Sequence, residues 1–379
     1  MRPAPVGHPG LTVLATAPGK VVLSGEHAAV LGRPALTAAL GRLCTASIAP
    51  RHDDRVALIL PGLGVRRLTD WPSVVLYAAS ARARWAARKS GRKVADFAAV
   101  RGDDPAHVVL AALGETLRRL PGVPGGVTLT VESALPPGSG FGSSAAVAVA
   151  TCAALLTHEQ GRPQARTVAE VAARTEELQH GTPSGIDTAT VRGGGVLWLA
   201  PDGRGAVRVR PLSVSAEALG LFELHHTGPA AESTGQVVAA VRPRLTPRAL
   251  DRAERATTAL RDALTSAARD SGGEPDSGGE RDSGREPDRA AVIEAVRESA
   301  RFLEGLGVVP PPVARTVRAV EAAGGAAKIC GAGSLRGPGA GALLVVRPPG
   351  GGPPIPGLDA STRISAPLGV PGLQWEKTL

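Results

Sequence analysis

The sequence predicts a two-domain chain in which helices and strands are interleaved. Three observations carry that expectation. At 379 residues the chain is long enough to bury a large core and to divide. The segment Val127-Thr128-Leu129-Thr130-Val131 alternates β-branched and apolar residues, a strand signature, and leads into a glycine-rich loop and an Ala/Val-rich helical run. A proline-marked stretch, Pro201–Pro211, then separates two sets of elements, which puts a first domain at 1–205 and a second at 206–379.

Composition narrows the class before any motif is read. Apolar residues make up 43% of the chain and charged residues 20%, an ordinary globular balance. Aromatics are only 2%, so the core must be built from Leu, Val, Ala and Ile. The formal net charge is +9, but the arginines are scattered; only Arg82–Lys93 is dense, around a lone Trp85. A nucleic-acid platform needs several aromatics along a basic groove, so no nucleic-acid partner is expected. Cys44, Cys152 and Cys330 are widely spaced and form no CxxC, which argues against a disulfide framework or zinc site and fits a reducing cytoplasm. The first ten residues lack an apolar segment and no run of 18 apolar residues occurs, so a cytoplasmic chain with no membrane partner is expected.

Along the chain, Leu11–Ala15 and Val21–Leu23 read as short strands either side of the turn Ala17-Pro18-Gly19, and Pro34–Leu40 as the approach to another. Arg82–Val100 is polar and basic, whereas His107–Leu120 has helical spacing. Ser143–Leu156 predicts a buried helix, and Thr167–Leu178 a second one ended by Gly181 and Pro183. Gly193–Leu199 returns as a strand. Thr246-Pro247, a threonine cap followed by proline, starts an amphipathic helix with Leu250, Leu260 and Leu264 on one side. Residues 270–287 are three tandem hexapeptides, DSGGEP, DSGGER and DSGREP. So polar a stretch cannot offset its own ordering entropy, and 270–289 is expected to be a disordered insert before a helix at Ala290–Glu304.

The chemistry concentrates in Pro136–Ala146, PPGSGFGSSAA. Gly138, Ser139, Gly140 and Gly142 precede a Ser143-Ser144 pair that opens a helix. Glycines allow a close backbone approach, and exposed N–H groups ahead of a helix N-terminus cradle phosphate oxygens. No GxxxxGK[ST] occurs, and the third glycine of GxGxxG would fall on Ser143, so neither a Walker loop nor a dinucleotide fingerprint is present. Three further segments accompany the loop. They are APGKVVLSGEHAAVLGR (17–33), EELQHGTPSGIDTAT (176–190) and KICGAGSLRGPGAGALLVV (328–346).

Together, and in this order, the four segments resemble the GHMP kinase superfamily. HGTPSGIDTATVRGGG, LSGEHAAVLGRPAL and HTGPAAESTGQVV (226–238) are most similar to its mevalonate kinase branch. The resemblance implies an α+β, two-domain GHMP kinase fold. The N-terminal domain would be like domain 2 of ribosomal protein S5 and the C-terminal domain ferredoxin-like, with nucleotide and acceptor meeting between them. It implies ATP and Mg2+ as cofactor and metal, mevalonate phosphorylated at its C5 hydroxyl as the small-molecule substrate, and a homodimer as one assembly the family uses. Alternatives left open are a related kinase acting on phosphomevalonate or another alcohol, and a non-catalytic ATP or metabolite sensor.

Carried over residue by residue, the resemblance makes Asp187 the base and Lys20 its partner. A carboxylate beside an ammonium keeps its charge at neutral pH, and the ammonium stabilises transferred phosphoryl charge. Pro137, Gly138, Ser139, Gly140, Phe141, Gly142, Ser143, Ser144 and Ala145 would hold the nucleotide phosphates. Ser144 and Glu176 would ligate the metal, a hard cation that takes few protein oxygens. Glu26, His27 and Thr227 would face the acceptor substrate. Read without the resemblance, Asp187 also fits a helix cap, Lys20 a surface position and His27 a packed core histidine, while His180, His225 and His226 read as structural or surface residues. The chain departs from the family pattern with Phe141 in place of leucine, and with Leu335, Arg336 and Pro338 inside the third motif. Arg336 there fits either a phosphate contact or a longer surface loop.

Overall fold

The computed structural model describes residues 11–90, 100, 102–136, 138–181, 184–202, 207–269 and 287–378. β1 (Thr12–Ser24) and β2 (Ala35–Pro50) pair antiparallel at the centre of an eight-stranded sheet. The two short strands expected around Ala17-Pro18-Gly19 are one continuous strand. Pro18 lacks the N–H that a ladder uses, and the register slips there instead of turning: Pro18 faces Leu43 while Gly19 faces Leu40.

The first half of β2 pairs with β6 (Val196–Pro201), which pairs with β7 (Val207–Leu212); the second half pairs with β5 (Val127–Ser133). β3 (Arg55–Leu60) runs parallel to β5 and antiparallel to β4 (Val65–Asp70), and β11 (Gln374–Thr378) closes the far edge against β1. The large sheet therefore takes strands from both sides of residue 205. A separate three-stranded antiparallel sheet is ordered β8 (Phe222–His226), β10 (Ala342–Val346), β9 (Ala326–Cys330).

Of the stretch Arg82–Val100, read as polar and basic, residues 91–99 lie outside the described residues and the start belongs to α1 (Trp71–Lys89). Asp70 caps it by accepting from Ser73 N–H at 2.8 Å, and its buried stripe is Trp71, Val74, Ala78, Ala81 and Trp85. The arginines between those positions hide the stripe from a composition-based reading. α3 (Ser143–Gln160) lies on the large sheet, α2 (His107–Leu117) and α4 (Ala165–His180) pack on α3, and α5 (Ile186–Gly193) follows against β1 and β2. α3 is the central helix; Ala145 to Thr157 are almost all buried, as expected for a helix apolar all round.

After α6 (Ala216–Leu219) and α7 (Thr234–Val241), α8 (Pro247–Arg269) packs on α9 (Arg289–Gly305), and α10 (Pro311–Ala322) lies against β9. Leu260 and Leu264 are buried and Leu250 half-buried, as their spacing predicts. Of the 270–289 insert, residues 270–286 lie outside the described residues; Asp288 caps α9 by accepting from Ala291 N–H at 3.0 Å. One apolar cluster runs from β1, β2 and α3 into α8, α9 and β10, so the two sheets share a core. Two separate, largely antiparallel sheets with helices on their faces are the α+β arrangement expected. Among the described residues no helix is long and apolar enough to cross a membrane.

Candidate active site

Lys20 is fixed from three sides. Its backbone N–H donates to Phe141 O at 2.9 Å, tying β1 to the glycine loop. Its aliphatic stem lies against Gly142, where an added Cβ would stand 2.7 Å from Lys20 Cγ. Its Nζ lies 3.0 Å from Asp187 Oδ1 in the first turn of α5. The lysine is buried while the aspartate stays about a quarter exposed, at 26%, so the pair presents its carboxylate to a cleft. That cleft is a cavity of about 490 Å³ between the glycine loop, the turn after β1, residues 229–234 and the third glycine turn.

The loop 136–146 owes its shape to left-handed glycines: Gly138, Gly140 and Gly142 have φ of 69°, 83° and 74°. A Cβ on Gly140 would stand 2.7 Å from Cys330 O, so the loop and the small sheet touch through backbone alone. Ser139 builds the loop: its hydroxyl donates to Pro136 O at 2.6 Å and its carbonyl accepts from Ala342 N–H at 3.1 Å. Phe141 and Ala145 are buried, which leaves their backbones as the parts that face a ligand. Ser143 and Ser144 are half-buried in the first turn of α3 and line the cleft. Pro137 lies outside the described residues, as does Pro183 at the end of α4.

Glu176, on α4, is buried, and its Oε2 has no hydrogen-bond partner. Burial first, then the neighbouring Asp187 carboxylate, pushes its acid up to about 8, against smaller opposing effects from Thr188 and Lys20. A buried acid with one unpartnered oxygen beside a second carboxylate is a site short of positive charge. Among the described residues no three His, Cys, Asp or Glu side chains cluster as metal ligands. The unpartnered Glu176 oxygen suits a cation such as Mg2+, which takes one or two protein carboxylates and fills its shell with phosphate and water. Ser144 Oγ lies 3.3 Å from His180 Nε2, so a histidine read as structural reaches the cleft. Its spacing of four from Glu176 on one helix was a usable signal.

Glu26 and His27 both line the cleft, held by the small sheet. Glu26 forms a buried ion pair with Lys328 of β9, whose Nζ also donates to Val22 O at 3.1 Å. His27 has φ 59°, the left-handed value among the described non-glycine residues, and its Nε2 donates to Ala332 O at 3.0 Å. Its buried Nδ1 has no partner. Burial pushes the ring down to about 4, with the Ala332 bond opposing, so the imidazole is neutral and Nδ1 is an acceptor. Thr227 is not brought to the cleft: its hydroxyl donates to Gly341 O and accepts from Ala340 N–H, each at 2.9 Å. Lys328 escaped the motif reading, although lysine is rare here and a buried one is rarer; only Lys20 and Lys328 are buried among the described lysines.

Across the cleft, Glu232 accepts from Ser334 Oγ at 2.7 Å, Leu335 N–H at 3.1 Å and Arg336 Nε at 3.0 Å. The inserted residues of the third motif are thus pinned to the 229–234 segment. The Arg336 side chain is 82% exposed.

Residues 107–194 match the family described as GHMP kinases N terminal domain, a span holding the glycine loop, Glu176 and Asp187. The mevalonate kinase of Bos taurus is 36% identical over 213 residues, 49% of this chain and 53% of that protein. The match to the mouse enzyme covers 63% of its length, so the chain spans about half to two thirds of these mammalian relatives. The mevalonate kinase of Archaeoglobus fulgidus is 30% identical over 321 residues, 85% of this chain and 89% of that protein. The crystal structure of the Methanococcus jannaschii mevalonate kinase superposes with a TM-score of 0.63 over 89% of this chain and 91% of that one, at 18% identity, and so shares the fold. With near full-length similarity to the archaeal protein and the four motifs in one cleft, the chain belongs to the mevalonate kinase family of the GHMP kinases.

Proposed function

We propose that the protein is an ATP-dependent kinase that transfers the γ-phosphoryl group of ATP to the C5 hydroxyl of mevalonate. The observation that carries this reading is the Lys20–Asp187 pair at 3.0 Å, set against the glycine loop. Asp187 accepts the proton of the acceptor hydroxyl as its oxygen attacks phosphorus. Lys20 keeps that carboxylate oriented and stabilises the charge that builds on the transferred group. Backbone N–H groups of 138–145 hold the nucleotide phosphates at the N-terminus of α3.

Glu176 and Ser144 fit a Mg2+ ion, the one offering a buried carboxylate oxygen without a partner and the other a hydroxyl. When bound, the ion neutralises phosphate charge. Neutral His27, with Nε2–H committed to Ala332, has only an acceptor to give, so its substrate partner is a hydroxyl donor and not the carboxylate. Glu26 reaches the acceptor only through its shared position with Lys328. Three free, buried cysteines support a reducing, cytoplasmic setting.

The test is ADP release by the purified protein with MgATP and, in turn, mevalonate, 5-phosphomevalonate, galactose and homoserine, beside Asp187→Asn. Mevalonate-dependent turnover lost in Asp187→Asn is the expected result. Turnover on 5-phosphomevalonate alone moves the protein one step along, and turnover on none of the four removes the mevalonate assignment.

A further inference from the structure

Ser144 and His180 line the cleft from two different helices, and Glu176 is buried beside Asp187 one turn before His180. His180 is half-buried on α4, with Nε2 3.3 Å from Ser144 Oγ. A serine hydroxyl carries one hydrogen and two lone pairs. To ligate a cation it must turn a lone pair toward the ion and send its hydrogen elsewhere. The contact at His180 gives that hydrogen a destination, which leaves a lone pair free for the ion. We propose that His180 is a positioning residue that accepts the Ser144 hydroxyl hydrogen and so aims the Ser144 oxygen at the nucleotide-bound divalent cation. The proposal rests on the reading of Ser144 and Glu176 as cation ligands.

The geometry gives α4 a double task. Its last two turns carry both an anionic ligand and the side chain that orients the neutral one, so a single helix end sets the cation position relative to Asp187 on the next helix. Groups that orient metal ligands change metal affinity by about ten- to hundredfold when removed.

The test is calorimetric titration with ADP, in Mg2+ and in EDTA, which needs no turnover. His180→Phe keeps the ring volume without an acceptor. It should weaken binding of ADP in Mg2+ by about ten- to hundredfold and leave binding in EDTA unchanged. His180→Gln, which retains an acceptor oxygen, should recover most of the loss. In a Ser144→Ala background His180→Phe should add nothing, because the two act as a unit. Equal weakening with and without Mg2+, or additive losses in the double variant, overturns the proposal. If Ser144→Ala itself leaves the gain from Mg2+ intact, the ligand reading falls and the proposal with it. If only His180→Phe leaves that gain intact, the ligand reading stands and the positioning role is overturned.

Discussion

Lys328, on β9 of the small sheet, forms an ion pair with Glu26, which follows β1 of the large sheet, and both side chains are almost wholly buried. Two ions taken out of water stabilise a fold only while both are present; removing one leaves the other unpaired at a cost of about 3–5 kcal/mol. Lys328→Met should therefore lower the denaturant midpoint sharply, and Lys328→Met with Glu26→Leu should regain most of it. The double variant should still show a raised KM for the acceptor, because Glu26 lines the cleft. A midpoint unchanged in Lys328→Met would remove the pair as a link between the sheets.

His27 sets an acid limit on stability. Burial holds its folded value at about 4 against an ordinary 6.5, so the unfolded chain takes up the proton first as pH falls. The contribution is complete above pH 6.5 and is lost as pH drops through 4, about 3 kcal/mol in all. Urea unfolding at several pH values between 7.5 and 4 should show this slope. His27→Asn, which tolerates φ 59°, should flatten it; parallel slopes would mean another group carries the acid loss.

What the sequence made legible was local. The glycine loop, the helix opening at Ser143 and the Glu176–Asp187 spacing follow from short-range chemistry; the structure sets Lys20 and Asp187 on one cleft, with Glu176 buried close behind the pair. The misses are long-range. Lys328 meets Glu26 across 302 residues, and nothing near either residue announces the pairing. Thr227 sits in a motif of the right type, yet its hydroxyl is spent on Gly341 and Ala340 from a turn more than a hundred residues away. α1 was hidden because its apolar stripe is threaded with arginines whose partners, such as Glu115 for Arg82, lie on another helix.

The glycine loop offers a paired comparison. Gly142 and Gly138 are both left-handed, at φ 74° and 69°, so alanine at either strains the backbone by about 1–2 kcal/mol. Only at Gly142 does the new methyl meet Lys20, 2.7 Å from Cγ; at Gly138 it meets open space. Similar stability losses are expected, but kcat should fall by about a hundredfold in Gly142→Ala alone, since displacement of a catalytic group by an ångström costs that much. Gly138→Ala should act on the KM for ATP. Equal kcat in the two variants would show that Lys20 accommodates the methyl.

Glu232 and Arg336 separate a clamp from a phosphate contact. Burial alone would raise the Glu232 carboxyl, but bonds from Ser334, Arg336 and Leu335 outweigh it and hold the acid below its ordinary range. Glu232→Ala strands the Leu335 N–H, at about 1–3 kcal/mol, leaves the Ser334 hydroxyl to the Arg336 carbonyl, and loosens two walls of the cleft. Arg336 gives Glu232 one ion pair whose guanidinium end is open to solvent, a contact worth about 1 kcal/mol. Arg336→Ala should thus leave stability and MgADP affinity nearly unchanged, while Glu232→Ala lowers both. A tenfold loss of MgADP binding in Arg336→Ala, about 1.4 kcal/mol, would instead place the guanidinium on a phosphate and make its bond to Glu232 the resting position of a nucleotide contact.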